Sequence, residues 1–249
     1  MSLNAKKAPK AGGNKDIVAQ EALEAGTYPA RVVSIIDLGL QPQRPYQGQE
    51  KPPKQEIKIT YELLDEFCLD EAGEEIEDKP RWVSEDIPFN NLDVDLAKST
   101  KRYNALDPDG SLDGDFTQLL GLPCLVTLNA TQGKGKNSDR TFNNVTTISQ
   151  MRAKDVKKAA ELVNEPKFFS CSEPDLEIFR SLPEFQQNKI KDNLEYNGSV
   201  LQKLLSPSKG EEPEQEPDLP EGDEAAPKKT KPASKKAIVE DEEEDDDKW

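Results

Sequence analysis

"QEIKITYELLDE", residues 55–66, alternates without a break: Ile57, Ile59, Tyr61 and Leu63 share one side, Lys58, Thr60 and Glu62 the other. A period of two with β-branched and aromatic residues at the apolar positions predicts a strand with one buried face. Upstream, "TYPARVVSIIDLG" (27–39) is rich in β-branched residues and stops at Gly39, so it reads as the strand before it. Between the two, "LQPQRPYQGQEKPPK" (40–54) holds four prolines and predicts a long loop.

Downstream, an acidic turn around Gly73 leads to "PRWVSEDIP" (80–88), a third strand bounded by prolines. "DLAKSTKRYNAL" (95–106) places Leu96, Tyr103 and Leu106 at helical spacing, and "DFTQLLG" (115–121) reads as a second short helix. "LPCLVTLNATQ" (122–132) and "RTFNNVTTIS" (140–149) are two more strands, joined by the hairpin loop "GKGKNSD".

The order β-β-β-α-β-β predicts a mainly β fold: a five-stranded Greek-key barrel of the OB type over residues 26–150. Residues 1–25 form a flexible basic arm, in which "DIVAQEALEAG" predicts a short helix that stops at Gly26. Residues 151–205 read as a helical appendage packed on the barrel, through apolar positions Leu176, Ile178, Phe179, Leu182, Phe185, Ile190 and Leu194. Residues 206–249 lack periodicity and predict a disordered acidic tail.

Charge narrows the function classes. The net charge is −16, and from Ser206 onward sixteen acids face seven lysines. Such acidity opposes uniform attraction to DNA or anionic lipid, so contact with a polyanion needs clustered cations. Three scattered cysteines without a CxxC, and no signal peptide, point to reduced thiols in a cytoplasm. No apolar run reaches the ~18 residues of a membrane span.

The chain has no histidine, which removes Ser-His-Asp and Cys-His catalysis and His-containing zinc sites. "DPDGSLDGD" (107–115) has its glycine at the fourth position, where a calcium loop needs it at the sixth. One enzymatic constellation stands as an alternative: Asp37 followed by Glu56 and Lys58 on the next strand, the pattern of a metal-dependent nuclease. The leading expectation is non-enzymatic, with no cofactor and no metal.

OB folds bind oligonucleotides on the strand two–three face and with the loops joining strands one–two and four–five. Those loops carry Arg44, Tyr46, Lys51 and Lys54, then Lys134, Lys136 and Arg140. Arg31 and Lys58 on strands one and two, and Trp82 and Phe142 as stacking rings, complete the expected surface. The run Glu240, Asp241, Glu242, Glu243, Glu244, Asp245, Asp246, Asp247, with Trp249 behind it, imitates phosphates followed by a base. A 44-residue tail spans about 35–40 Å on average. It therefore reads as an internal competitor for the DNA site and a docking element for partners.

The tract "YPARVVSIIDLG…KQEIKITYELLDE…PRWVSE…LLGLPCLVTLNATQGKGKN…TFNNVTTIS", with "PDLEIFRSLPEFQQNKIKDNLEYNGSVLQKLL" behind it, resembles a group of tailed-phage single-stranded DNA-binding proteins with an OB fold. The resemblance covers roughly 26–205 and implies single-stranded DNA and replication or recombination proteins as partners. Members of that group end in acidic tails with a terminal aromatic, a role that would fall here on Trp249. Lys248 and the basic tract "KKTKPASKK" (228–236) depart from the pattern. The competing expectation is an acidic protein-interaction module or DNA mimic.

Overall fold

The two strands read first are the longest elements of the fold. β1 (Gly26–Tyr46) and β2 (Gln49–Leu69) pair antiparallel through to Tyr46 opposite Gln49. The structure, a computed structural model, describes residues 18–206, and of Tyr46 the backbone alone. Residues 1–17 and the expected tail, with Glu240–Asp247 and Trp249, lie outside the described residues.

The expected loop over 40–54 is instead a two-stranded ribbon. Gln47 and Gly48 turn it with φ of 52° and 77°, as a two-residue hairpin of the I′ kind requires. Pro42, Pro45, Pro52 and Pro53 are tolerated because each ribbon strand has a free side, where a missing N–H costs no ladder bond. The register also shifts between Gln41 and Gln43 and again before Tyr46.

β3 (Glu75–Pro88) pairs with β2, β4 (Pro123–Gln132) with Gly26–Arg31 of β1, and β5 (Thr141–Gln150) with β4. The order is β3-β2-β1-β4-β5, antiparallel throughout. A short sixth strand, β6 (Lys167–Phe169), runs parallel to β1 at Ser34–Ile36. The fold is therefore mainly β, a six-stranded open sheet with β3 and β5 at its edges. It differs from the expected five-stranded closed barrel in two ways: among the described residues no ladder joins β3 to β5, and the sixth strand comes from a segment expected to be helical.

Two cores lie on opposite faces. Ile57, Ile59, Tyr61 and Leu63 of β2 point into the first, which α1 (Lys98–Leu106) and a short 3-10 turn at Phe116–Leu119 close with Tyr103, Leu106, Phe116 and Leu119. The second gathers Ile36 and Leu38 of β1 with Phe169, Phe179, Leu182, Ile190 and Leu201. These come from β6, α3 (Leu176–Ser181), α4 (Glu184–Lys191) and α5 (Val200–Leu205), while Val156 ends a single turn, α2 (Ala153–Val156). Each such side chain contributes roughly 1.5–3 kcal/mol on burial. Because this second core covers the outer sheet face, Lys58, Thr60 and Glu62 are buried rather than solvated. Phe185 and Leu194, expected to pack, stay exposed.

Residues 18–24 form neither helix nor strand. Tertiary partners take the backbone groups a helix would have used. Leu23 N–H donates to Asn143 Oδ1 and Asn143 Nδ2 donates back to the Leu23 carbonyl, both at 2.8 Å. Gln20 brackets the Leu69 backbone in the same way.

Candidate nucleic-acid interface

The β4–β5 hairpin is built to present cations. Its tip, a 3-10 turn at Gly135–Asn137, is closed by Gly133 N–H on the Arg140 carbonyl at 2.8 Å. A Cβ at Gly133 would collide with the Asn137 carbonyl and stand 2.9 Å from Phe142 Cε2, so this close approach requires glycine. Lys134, Lys136 and Arg140 are exposed, and no carboxylate lies within ion-pair distance of them among the described residues. Phe142 is 44% exposed and belongs to neither core.

The ribbon carries the second basic group. Arg44, Lys51 and Lys54 are exposed there, and the Tyr46 side chain lies outside the described residues. A hollow of about 390 Å³ is lined by Gln41, Gln43, Arg44, Lys51, Glu56 and Lys189. The two basic groups leave from opposite ends of β1. β4 runs past Gly26 at one end of β1 and the ribbon leaves from Gly39 at the other.

Arg31 and Lys58 are not surface cations. Arg31 is 8% exposed, and its guanidinium donates to the carbonyls of Ala160 and Gly121, both at 2.8 Å, and to Glu161 Oε1 at 3.2 Å. Lys58 is equally buried, with Nζ 2.6 Å from Asp86 Oδ1 and over the Phe185 ring. Lys189 adds 2.8 Å and 2.9 Å contacts to Asp86 and Glu56. Burial disfavours the charged Asp86 carboxylate, but hydrogen bonds from Lys189 and Lys58 outweigh it and hold the carboxyl below its ordinary range. Burial likewise opposes the Lys189 ammonium, and Asp86 and Glu56 nevertheless raise its pKa. Trp82 is 50% exposed on the same outer face, its indole N–H donating to Glu62 Oε2 at 3.1 Å. Glu62 also accepts from Val163 N–H and Asn164 Nδ2, so the segment after α2 crosses this face.

Of the nuclease constellation, Glu56 and Lys58 are linked through Lys189 and Asp86, and Asp37 is engaged apart from them. Asp37 accepts from Gly39 N–H, Gln55 Nε2 and Cys171 N–H; Glu56 from Gln43 Nε2 and Lys189; Lys58 pairs with Asp86. Among the described residues no group of three or more acids and cysteines is placed to hold a metal ion. In the acidic turn, Asp107 accepts from Ser111 N–H, Ser111 Oγ and Leu112 N–H, binding its own loop.

Sequence reading placed the appendage on the barrel but missed that it buries Arg31, Lys58 and Glu62. The signal was present in "VVSIIDL" (32–38), a nearly continuous apolar run and not an alternating one, which marks a strand buried on both faces. Comparison with protein-family models, with curated proteins and with solved structures gives no match.

Proposed function

We propose that the chain binds single-stranded DNA without sequence preference, through an OB-type sheet whose basic hairpin holds the phosphates. The observation that carries the reading is the β4–β5 hairpin. In a chain of net charge −16, three exposed cations there lack a carboxylate partner among the described residues and stand beside an exposed ring. A hairpin tip needs no such cluster to fold. Arg44 and Lys54 on the ribbon form a second exposed cationic group, and Trp82 is a second exposed ring. Arg31 and Lys58 fall out of the set, because their charges are spent inside the fold.

The strand order and the helix between β3 and β4 support the OB assignment, with Arg102 bridging the gap between β3 and β5. Together with the resemblance to tailed-phage proteins, the reading extends to phage replication or recombination in a host cytoplasm, with the acidic tail as competitor and docking element. No helix among the described residues is long and apolar enough to cross a membrane.

A protein-interaction module is the second reading, favoured by the loop before α1. There Val94 and Leu96 are 49% and 83% exposed between and beside Asp93 and Asp95. Titration of labelled oligo-dT at low salt separates the two: saturable binding that weakens with salt supports the first, and no binding leaves the second.

A further inference from the structure

A groove of about 830 Å³ separates Ala19–Glu24 from the hairpin residues Ala130, Asp139, Arg140, Thr141 and Phe142. Its size lies within the ~300–1,000 Å³ of small-molecule clefts. The groove is held open by design of its walls. Leu23 is clamped to Asn143 by two hydrogen bonds of 2.8 Å, and Arg81 Nη2 donates to the Glu21 carbonyl at 2.5 Å. Residues 21–23 are thereby tied to both sheet edges, β5 and β3.

Phe142 supplies a platform on one wall. Gly133 backs its ring at Cε2, while 44% of the residue stays open. Ala19, Ala22 and Ala130 line the rest with side chains too small to fill the space. Glu21, Glu24 and Asp139 line it against the single cation Arg140 and disfavour a phosphate inside, whereas Lys134 and Lys136 do not line it. Charge therefore sorts a bound polynucleotide: the phosphates follow the cationic hairpin and an uncharged base enters the groove.

We infer that this groove is a nucleobase subsite, in which one base of a bound single strand stacks on Phe142 against the Ala19–Glu24 wall. The inference rests on the DNA-binding reading and adds where a base is held. It also assigns a role to residues 19–24, which carry no exposed cation or ring of their own.

The test uses the full chain and a labelled oligo-dT. Base–aromatic stacking of ~1–3 kcal/mol corresponds to about 5- to 150-fold in affinity. Phe142→Leu and the groove-filling Ala130→Phe should each lose affinity in that range, with thermal unfolding unchanged. Phe142→Trp should keep affinity, and DNA should quench the emission it adds over wild type. Wild-type protein that does not bind oligo-dT defeats the DNA reading itself. Wild-type binding that the hairpin cations control, but that Phe142→Leu and Ala130→Phe leave intact with an unquenched Phe142→Trp, overturns the groove alone.

Discussion

Arg102 on α1 grips Glu85 on β3 through two hydrogen bonds, Nε to Oε1 at 2.7 Å and Nη2 to Oε2 at 3.1 Å, and both side chains are only 5% exposed. The same guanidinium reaches the Thr146 carbonyl on β5 at 3.3 Å, so one side chain bridges the two free edges of the sheet. Lys98 Nζ and the Tyr61 hydroxyl complete the carboxylate's shell at 2.9 Å and 3.1 Å. Burial, and then the Glu85 charge, push the Tyr61 hydroxyl well above its ordinary pKa.

Removing Glu85 leaves the buried Arg102 guanidinium without a carboxylate, whereas removing Arg102 leaves Glu85 with Lys98 and Tyr61. Glu85→Leu should cost about 3–5 kcal/mol in urea unfolding, and Arg102→Met less, because Lys98 still partners Glu85. A Glu85→Leu/Arg102→Met double variant should cost less than the two added together, because neither charge is stranded. Additive losses would mean that the two side chains act independently.

Arg31 and Trp82 separate structure from binding. Arg31→Ala removes charged hydrogen bonds to Ala160 and Gly121 and should cost about 1.5–3 kcal/mol of stability with DNA affinity unchanged. Trp82→Ala should lower DNA affinity with little change in melting temperature if its half-exposed ring stacks. A Trp82→Ala protein that melts lower and binds normally would assign the ring to the Glu62 contact alone.

Acid should weaken the junction between α4 and the sheet. Asp86 has a depressed pKa in the folded chain, so its contribution is present above the unfolded value and lost as pH falls through the ordinary carboxylate range and below. Lys189 has a raised pKa, so its share persists at neutral pH and is lost only at strongly alkaline pH. Melting temperature should fall on acidification, and Asp86→Asn should flatten that fall. An unaltered profile in the variant would place the acid sensitivity elsewhere.

The β2 alternation made the first core legible, since Ile57, Ile59, Tyr61 and Leu63 all face inward. Leu176, Ile178, Phe179, Leu182 and Ile190 of the second core were legible too, but the face of β2 that the appendage covers was not. Lys58 and Thr60 look like a solvent face, and only the tertiary fold supplies Asp86 and α4 to cover them. The ribbon was hidden by its prolines, which mark loops locally but are harmless on strands with a free side. At the site, the hairpin cations could be read directly, because exposure of a Lys-Gly-Lys tip needs no distant partner. Arg31 could not, because the groups that engage it lie 129, 90 and 130 residues away, at Ala160, Gly121 and Glu161.

The tail carries its own expectation. Removing 240–249 takes away eight carboxylates and should raise affinity for single strands, most at low salt. Screening over a Debye length of ≈ 8 Å at physiological ionic strength shrinks the effect. Trp249→Ala keeps those charges, so DNA affinity should hold while capture of partner replication proteins drops. A truncated chain that binds oligo-dT no better than the whole would sink the competitor role.

The most direct measurement is oligo-dT affinity against salt for wild type and for Lys134→Ala/Lys136→Ala/Arg140→Ala. With three phosphate contacts removed, affinity at low salt should fall and the log–log slope should flatten by about 2, at roughly 0.7 per phosphate. Equal affinity and an identical slope in the two proteins would contradict phosphate binding at the hairpin, and with it the proposed function.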